Sequence, residues 1–408
     1  MSEFEPTWFT HGQQAIEQAI KRATALAEAP GTAVPLPDVL PNRGLGTEGA
    51  LERLAPHVLD GARRLGDAAA FAHMDPPTAA AAQATTWWNA VLNQNLLHPD
   101  TAPAARDAEK RAVGWLAPFF GMDGGHMLPG STLGNLTALW AARELRGVRR
   151  VVASEAAHLS VGKAAHLLGL AHETVPVDGG GALDAALLSD LSDACLVLTA
   201  GTTSMGAVDP LEPQGAAWTH VDAAWAGPMR LSPRFAARLA GIEGADSVAV
   251  SAHKWLFQPK ESALVLFADS AAAHETISFG GAYLAVPNVG LLGSHGAIAV
   301  PLLATLLAPG RDGVAATVEH AMDAMDRFAD GLARTEGVTL YGSNRTGVLA
   351  WRLSNDAATS ALHARLPEGS TSLTRLDHRV WCRNVAANPM ADVDALLEAV
   401  RKAMHENV

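Results

Sequence analysis

The apolar positions of this chain change their period part-way along it. Up to about residue 120 they recur every three or four positions, the spacing of helices with one buried face. This pattern predicts a helix over residues 11 to 29, one or two helices over 46 to 72, and helical structure from Thr86 to Phe120. A proline-rich connector, PGTAVPLPDVLPNRG, separates the first two. After GMDGGHMLPGST the pattern switches to short unbroken apolar runs. RRVVAS, ETVPV, DACLVLTA, WTHVDA, DSVAVSA and SALVLFA read as strands, and NLTALWAAREL and SVGKAAHLLGL as helices between them. Strands of this kind, alternating with helices, predict an α/β fold with a mostly parallel sheet flanked by helices. From Gly310 onward a long amphipathic helix, the strands VTLYGS, GVLAWRLS and HRVWCRNV, and a closing helix predict a small α+β domain. The expected division is an N-terminal helical segment over 1–70, a large domain over 71–309 and a small domain over 310–408.

In a sheet of this type ligands bind at the carboxyl ends of the strands. That is where the reactive side chains fall: Ser154 to His158, Thr202 and Thr203, Asp222, and His253 with Lys254. The chain has only six lysines, so one at the end of SVAVSA, between a histidine and a tryptophan, raises a question. Such a lysine either snorkels to the surface or stands as a nucleophile at a pocket floor.

Each candidate has a plainer reading. PGSTLGNL opens a helix; Ser131 or Thr132 serves there as an N-cap, or the free N–H groups bind phosphate. It lacks the GK[ST] of a P-loop, and GSTLG has threonine where a nucleophile elbow has serine. Asp222 ends an apolar strand, where a buried carboxylate needs a cationic or hydrogen-bonding partner. His220 and Asp222 share a strand face, but no third metal ligand is near in sequence, so no metal is expected. His166 sits mid-helix and reads as packed; His158, just past a strand, is better placed for chemistry.

One cofactor unites these residues. Pyridoxal phosphate needs a lysine for its aldehyde, an acid for its pyridine nitrogen, a phosphate cradle and a group stacked on its ring. Lys254, Asp222, the Ser131–Thr132 turn and His158 supply one each.

The stretches GSTLGNL, SEAAHLSVGKA, TAGTTSMGAVDPL, HVDAAWAG and SAHKW resemble the group II pyridoxal-phosphate-dependent amino acid decarboxylases, the family of the glutamate, aromatic amino acid and 2,4-diaminobutyrate decarboxylases. The resemblance covers residues 70 to 300 well and the rest more thinly. It implies the type I, aminotransferase-like fold and a homodimer with sites at the subunit interface. It implies decarboxylation of an L-amino acid to the amine and CO2 through a Schiff base on Lys254. Asp222 would pair with the pyridine nitrogen, His158 stack on the ring, and Thr203 lie near ring and oxygen. Ser131, Thr132, Ser251 and His253 would hold the phosphate. Thr78 and Arg383 match positions at the substrate, with His98 in a segment that could line the pocket; a guanidinium suits a carboxylate. The family's loop tyrosine, its proton donor, has no clear counterpart: Tyr283 lies before the loop, and His295 is a candidate by type and location. That gap keeps carbon–carbon lyase, aldolase or aminotransferase-type chemistry open as alternatives, with a non-catalytic cofactor-binding scaffold as a third reading.

Composition narrows partners rather than chemistry. The formal net charge is −12, which argues against nucleic acid as partner. The best contrary feature, Arg143, Arg146, Arg149 and Arg150, follows a helix and suits its C-terminal dipole. MSEFEPTWFT has neither a basic nor an apolar leader segment, and no apolar run reaches membrane length. Two cysteines, Cys195 and Cys382, fit a reduced, cytoplasmic setting.

Overall fold

The computed structural model describes residues 35–405 apart from 213, 343 and 344, together with Glu17, Ile20, Lys21 and Ala23. The helix expected over 11–29 therefore lies largely outside the described residues. Contacts divide the chain into two compact units, Met1–Arg64 and Leu65–Val408. In the first, helix α1 (Gly46–Val58) contains Pro56 near its end, and Arg53 donates to the Pro35 carbonyl at 2.9 Å. One helix forms in the 46–72 stretch. Proline removes a backbone donor, and residues 65 to 72 make turns in the second unit.

The second unit is built on a seven-stranded sheet of order β1-β7-β6-β5-β4-β2-β3. The strands are β1 (Gly124–Leu128), β2 (Arg150–Ser154), β3 (Ala171–Val175), β4 (Ala194–Thr199), β5 (Trp218–Asp222), β6 (Ser247–Val250) and β7 (Ala263–Phe267). β7 runs antiparallel to both neighbours and the remaining pairs are parallel. β4 to β7 are buried at every position, which is why they read as unbroken apolar runs. Alternate residues still part to opposite faces. Leu196, Leu198, Val221, Val248 and Leu264 join one core, and Cys195, Val197, Val265 and Phe267 the other.

Helices cover both faces. Counting on from α1, α2 spans Ala80–Leu92, α3 Pro103–Leu116, α4 Ser131–Arg146, α5 Leu159–Leu167, α6 Ser270–Thr276 and α7 Ala299–Leu307. Ala138, Leu139 and Ala142 of α4 and Val161 and Ala165 of α5 seal one face; Ala112, Val113 and Leu116 of α3 help seal the other. α4 lies close on the sheet because Gly134 has no side chain: a Cβ there would stand 3.2 Å from that of Ala249. This brings the next residue, Asn135, down onto β5.

The C-terminal part carries a four-stranded antiparallel sheet, β10 (Thr339–Tyr341), β11 (Val348–Arg352), β13 (Arg379–Val385) and β12 (Ser372–Leu376) in that spatial order. Helices α8 (Gly310–Ala333), α9 (Asp356–His363) and α10 (Val393–His405) accompany it, and a short β8–β9 pair (Ser278–Phe279 with Asn288–Val289) follows the large sheet. The sequence pattern missed β1, β12 and the short β8–β9 pair. β1 begins with two glycines, poor strand formers. Gly125, at φ +153°, presses so closely on the Val265 carbonyl that a Cβ would lie 2.0 Å from it. Among the described residues no helix is long and apolar enough to cross a membrane. The arginine cluster is spent locally: Arg150 pairs with Glu173 and Asp193, and Arg143 donates to the Leu168 carbonyl.

Candidate active site

Why a lysine sits between His253 and Trp255 follows from the tryptophan. Trp255 is fully buried, donates to the Ala386 carbonyl at 2.7 Å and packs on Trp225 at 4.2 Å between ring centroids. With Trp255 anchored in the core, Lys254 faces a cavity of about 330 Å³ at the carboxyl ends of β4, β5 and β6. Asp222, His158, Thr203, Ser131, Thr132, Ser251 and His253 line the same cavity. These eight residues, spread over more than a hundred positions, are brought together as expected. Burial pushes the Lys254 amine below its usual range, while the carboxylates of Asp222 and Asp75 oppose the shift. Among the described residues none forms a hydrogen bond or ion pair with that amine. It is a desolvated nucleophile.

Asp222 ends β5 and is 4% exposed. Its Oδ2 accepts from Asn135 Nδ2 at 2.8 Å and its Oδ1 from the Ala224 N–H at 3.1 Å. His158 caps α5, its Nδ1 accepting from the Ser160 N–H at 3.2 Å. Burial lowers its pKa, partly offset by Asp222, so it is a neutral imidazole.

Gly130, at φ +139°, is the N-cap of α4, and no side chain caps that helix. The capping reading of Ser131 and Thr132 therefore falls away. Ser131 Oγ instead hydrogen-bonds Ser251 Oγ, and the first N–H groups of the helix are left for an anion. His253 accepts from the Ser262 N–H at Nδ1 and is held neutral, its pKa down to about 4, by burial and then by Lys260 and Lys254. Its Nε2–H is thus a donor.

Other expected site residues fall elsewhere. Arg383, on β13, donates to the carbonyls of Thr203 at 2.6 Å and Ala72 at 3.2 Å. Burial lowers its pKa to about 10, so it stays charged at neutral pH, and it is close enough to depress Lys254. Thr78 lines a separate cavity with Phe257 and Pro389. His98 packs edge-on against Tyr283, which is 74% exposed. His295 is not brought to Lys254 within this chain. Its carbonyl accepts from Leu96 and its Nδ1 bonds the Gly293 carbonyl, which turns it toward α3 and a cavity shared with Glu109 and His126. His166, expected to be packed, is exposed near the end of α5.

Sequence reasoning passed over Asn135, Ser160 and Asp75. Asn135 stands one helical turn after Ser131, so it shares that face. His220 was weighed only as a metal ligand. Both its nitrogens are taken, by Ser247 and by Asn135, and among the described residues no cluster of metal-binding side chains forms.

The buried histidines imply acid lability. Burial holds His220 near pKa 4 and, with His274, His126 near 3, against an ordinary value of 6.5. Between those values the unfolded chain binds more protons, so stability falls as pH falls. Asp209, raised by burial to about 6, binds its proton in the folded state and opposes this. Three such histidines, His253 included, against one such carboxyl leave a loss of about 2–3 kcal/mol per pH unit near pH 5. Chemical denaturation at fixed cofactor saturation should show this decline between neutrality and pH 5; equal or greater stability at pH 5 would contradict it.

The cavity suits pyridoxal phosphate: an unpartnered buried amine for an aldehyde, a buried carboxylate for a ring nitrogen, and an uncapped helix start with hydroxyls for a phosphate. Known proteins agree. Residues 30 to 353 match the family model described as the pyridoxal-dependent decarboxylase conserved domain. An L-2,4-diaminobutyrate decarboxylase of Rhizobium meliloti (strain 1021) is 30% identical over 90% of this chain and 84% of its own length. An aromatic-L-amino-acid decarboxylase of Bacillus atrophaeus is 25% identical over 73% of this chain and 72% of its own. The solved structure of Oryza sativa TDC with PLP and tryptamine superimposes with a TM-score of 0.87, covering 100% of this chain and 99% of that one at 20% identity. The architecture is accordingly the type I, aminotransferase-like fold. The chain belongs to the pyridoxal-dependent decarboxylase family, and it is an amino acid decarboxylase whose cofactor is pyridoxal phosphate.

Proposed function

We propose that the enzyme decarboxylates an L-amino acid bearing a second amine, with L-2,4-diaminobutyrate the first candidate. The observation that carries the chemistry is one cavity faced by the Lys254 amine, the Asp222 carboxylate and the neutral His158 ring. When bound, the cofactor supplies an electron sink for the carbanion left at Cα as CO2 departs. Lys254 would hold the cofactor by its aldehyde. Asp222 holds a proton on the ring nitrogen, and His158 covers the ring face. Ser131, Thr132, Ser251 and His253 would hold the phosphate, Thr203 would lie beside the ring, and Arg383, near enough to act on Lys254, would meet the substrate carboxylate from the edge of the cavity.

Two observations support a cationic side chain. The Rhizobium relative and one from Acinetobacter baumannii are named for L-2,4-diaminobutyrate. Within this chain, Asp75 acts electrostatically on Lys254, His253 and Arg383. Its present partner Lys260 is 56% exposed in its side chain, and such a pair is weak enough to open for a substrate ammonium.

The proposed assembly is a homodimer. Trp88, Val91 and Leu92 on α2 are 62%, 83% and 63% exposed, an apolar surface that a second copy would cover. Thr78, His98, Tyr283 and His295, outside the chain's own cavity, would then complete a site across the interface. A cytoplasmic setting accords with the two buried free cysteines. The proposed division of the described chain sets a small domain over 310–408 beside a large one over 71–309.

Purified enzyme loaded with pyridoxal phosphate should release CO2 and the matching amine from a diamino acid faster than from acidic or aromatic ones. Its mass in solution should be that of two chains. CO2 only from acidic or aromatic substrates would overturn the substrate class. Aldehyde from β-hydroxy amino acids without CO2 would point to carbon–carbon lyase chemistry instead. That second reading draws on the cavity lining, which includes no tyrosine.

A further inference from the structure

Behind the cavity lies a run of buried polar side chains that the reaction does not touch. Trp218 Nε1 donates to Ser247 Oγ at 2.8 Å, and Ser247 Oγ lies 2.9 Å from His220 Nδ1. His220 Nε2 lies 3.0 Å from Asn135 Oδ1. Asn135 Nδ2 reaches both Asp222 Oδ2 at 2.8 Å and Ser160 Oγ at 2.9 Å, and Ser160 Oγ reaches His158 Nδ1 at 2.7 Å. Asn135, His220 and Ser247 are 0% exposed, Ser160 1%, Thr219 beside them 3%.

Every proton in this run is assigned by its ends. An indole N–H can only donate, so Ser247 Oγ accepts from Trp218, and its own hydrogen goes to His220 Nδ1 once the Asp222 end of the run has placed the ring hydrogen of His220 on Nε2. A neutral imidazole that accepts at Nδ1 carries its hydrogen on Nε2, which donates to Asn135 Oδ1. At the other end an ionised carboxylate only accepts, which orients the Asn135 amide with nitrogen toward Asp222. The second amide hydrogen goes to Ser160 Oγ. That leaves the Ser160 hydroxyl hydrogen for His158 Nδ1, which already accepts from the Ser160 N–H. No donor faces a donor and no acceptor an acceptor. Reversing one member would put two like atoms together in a dry site, the costly case for a buried network.

We infer that Asn135, with His220 and Ser160, is a positioning residue that fixes the orientation of the Asp222 carboxylate and, through Ser160, of the His158 ring. One amide thereby links the acid at the ring nitrogen to the imidazole on the ring face, whose Nδ1 the Ser160 N–H also fixes as an acceptor. The inference rests on the cofactor assignment above. The titratable groups that act on this pair are His158, His220 and Lys254 around Asp222, with Lys163 also acting on His158.

Asn135→Asp is the informative variant, because it keeps the shape and inverts one contact. A second carboxylate would meet Asp222, and the two would share a proton. Half-saturation by pyridoxal phosphate, read from the absorption of the bound cofactor, should rise roughly 10–100-fold at neutral pH. The defect should shrink as pH is lowered, since a protonated carboxyl can donate to Asp222 again; wild type should show no such recovery. Ser160→Ala, the milder change, should fold even if the first does not. It should lower kcat about threefold to tenfold with KM nearly unchanged, having lost only the hydroxyl between Asn135 and His158. Asn388→Ala, which removes a buried amide bonded to the Asp67 carbonyl far along the chain, should lower thermal stability without altering the cofactor titration. Nitrogen-15 spectra of histidine-labelled holoenzyme should show His220 and His158 as Nε2–H tautomers at neutral pH. An Nδ1–H tautomer or imidazolium at His220 would overturn the inference. So would an Asn135→Asp protein with wild-type cofactor affinity and pH dependence. Loss of cofactor binding in wild type as well would instead fault the cofactor assignment.

Discussion

Replacing Lys254 with alanine is expected to lower the rate of CO2 release by at least about 10⁴-fold while leaving the fold intact. Among the described residues the side chain has no hydrogen-bonding partner to lose, and Trp255, which anchors the turn, is untouched. Burial disfavours its ammonium form, so removing the amine relieves a desolvation cost rather than opening a packing defect. What disappears is the only lysine lining the cavity. Lys260, though near in sequence, is committed to Asp75 and lies largely in solvent. Steady-state CO2 release measures the rate. Borohydride reduction of the holoenzyme followed by peptide mass analysis measures the attachment. Wild type should carry the cofactor on the peptide containing Lys254, and the variant on none. A variant retaining a tenth of the activity, or label on another lysine, would refute the assignment.

Asp222→Asn should be the next most damaging change, lowering kcat by roughly 10³-fold with a smaller effect on KM. The loss has two parts. A neutral amide cannot hold a proton on a ring nitrogen as a carboxylate does. The new amide nitrogen would also face that of Asn135, donor against donor, at the 2.8 Å contact now made by Oδ2. Asp222→Glu retains the charge but lengthens the arm in a cavity floor with no slack, and should recover only part of the rate. Rates measured with saturating cofactor separate this from weak binding. An Asn variant within threefold of wild type would mean that the carboxylate does not act on the ring.

Much of the site was legible because it is local. Each strand end brings its reactive residue within a few positions of an apolar run: Asp222 closes WTHVD, and Lys254 is the fourth residue after SVAV. Parallel strands share a carboxyl edge, so reading the strands was enough to collect Thr203, Asp222, Ser251 and Lys254 on one side. The strands themselves were legible because burial on both faces leaves no polar interruption. β1 escaped because its glycines serve a close backbone approach, a purpose with no apolar signature. Ser131 was legible as a helix start, but not its pairing with Ser251 across 120 positions.

What the chain determines by itself is the class of chemistry: a scarce lysine held at a strand end, an acid two residues beyond a buried histidine, and hydroxyls at a helix start. These depend on short-range order, and short-range order survives in one dimension. The tertiary structure alone decided which polar residues support the others. His220 was set aside as a metal ligand, and its role was left open until packing set α4 over β5 and placed Asn135 against its Nε2. His295 was a proton-donor candidate by type and location, and only the fold showed that within this chain its loop closes on Leu96 and turns it toward the cavity shared with Glu109 and His126. A hydrogen bond between residues 85 positions apart leaves no periodic trace. It depends on how near a helix can come to a sheet, and here the missing Cβ of Gly134 sets that distance.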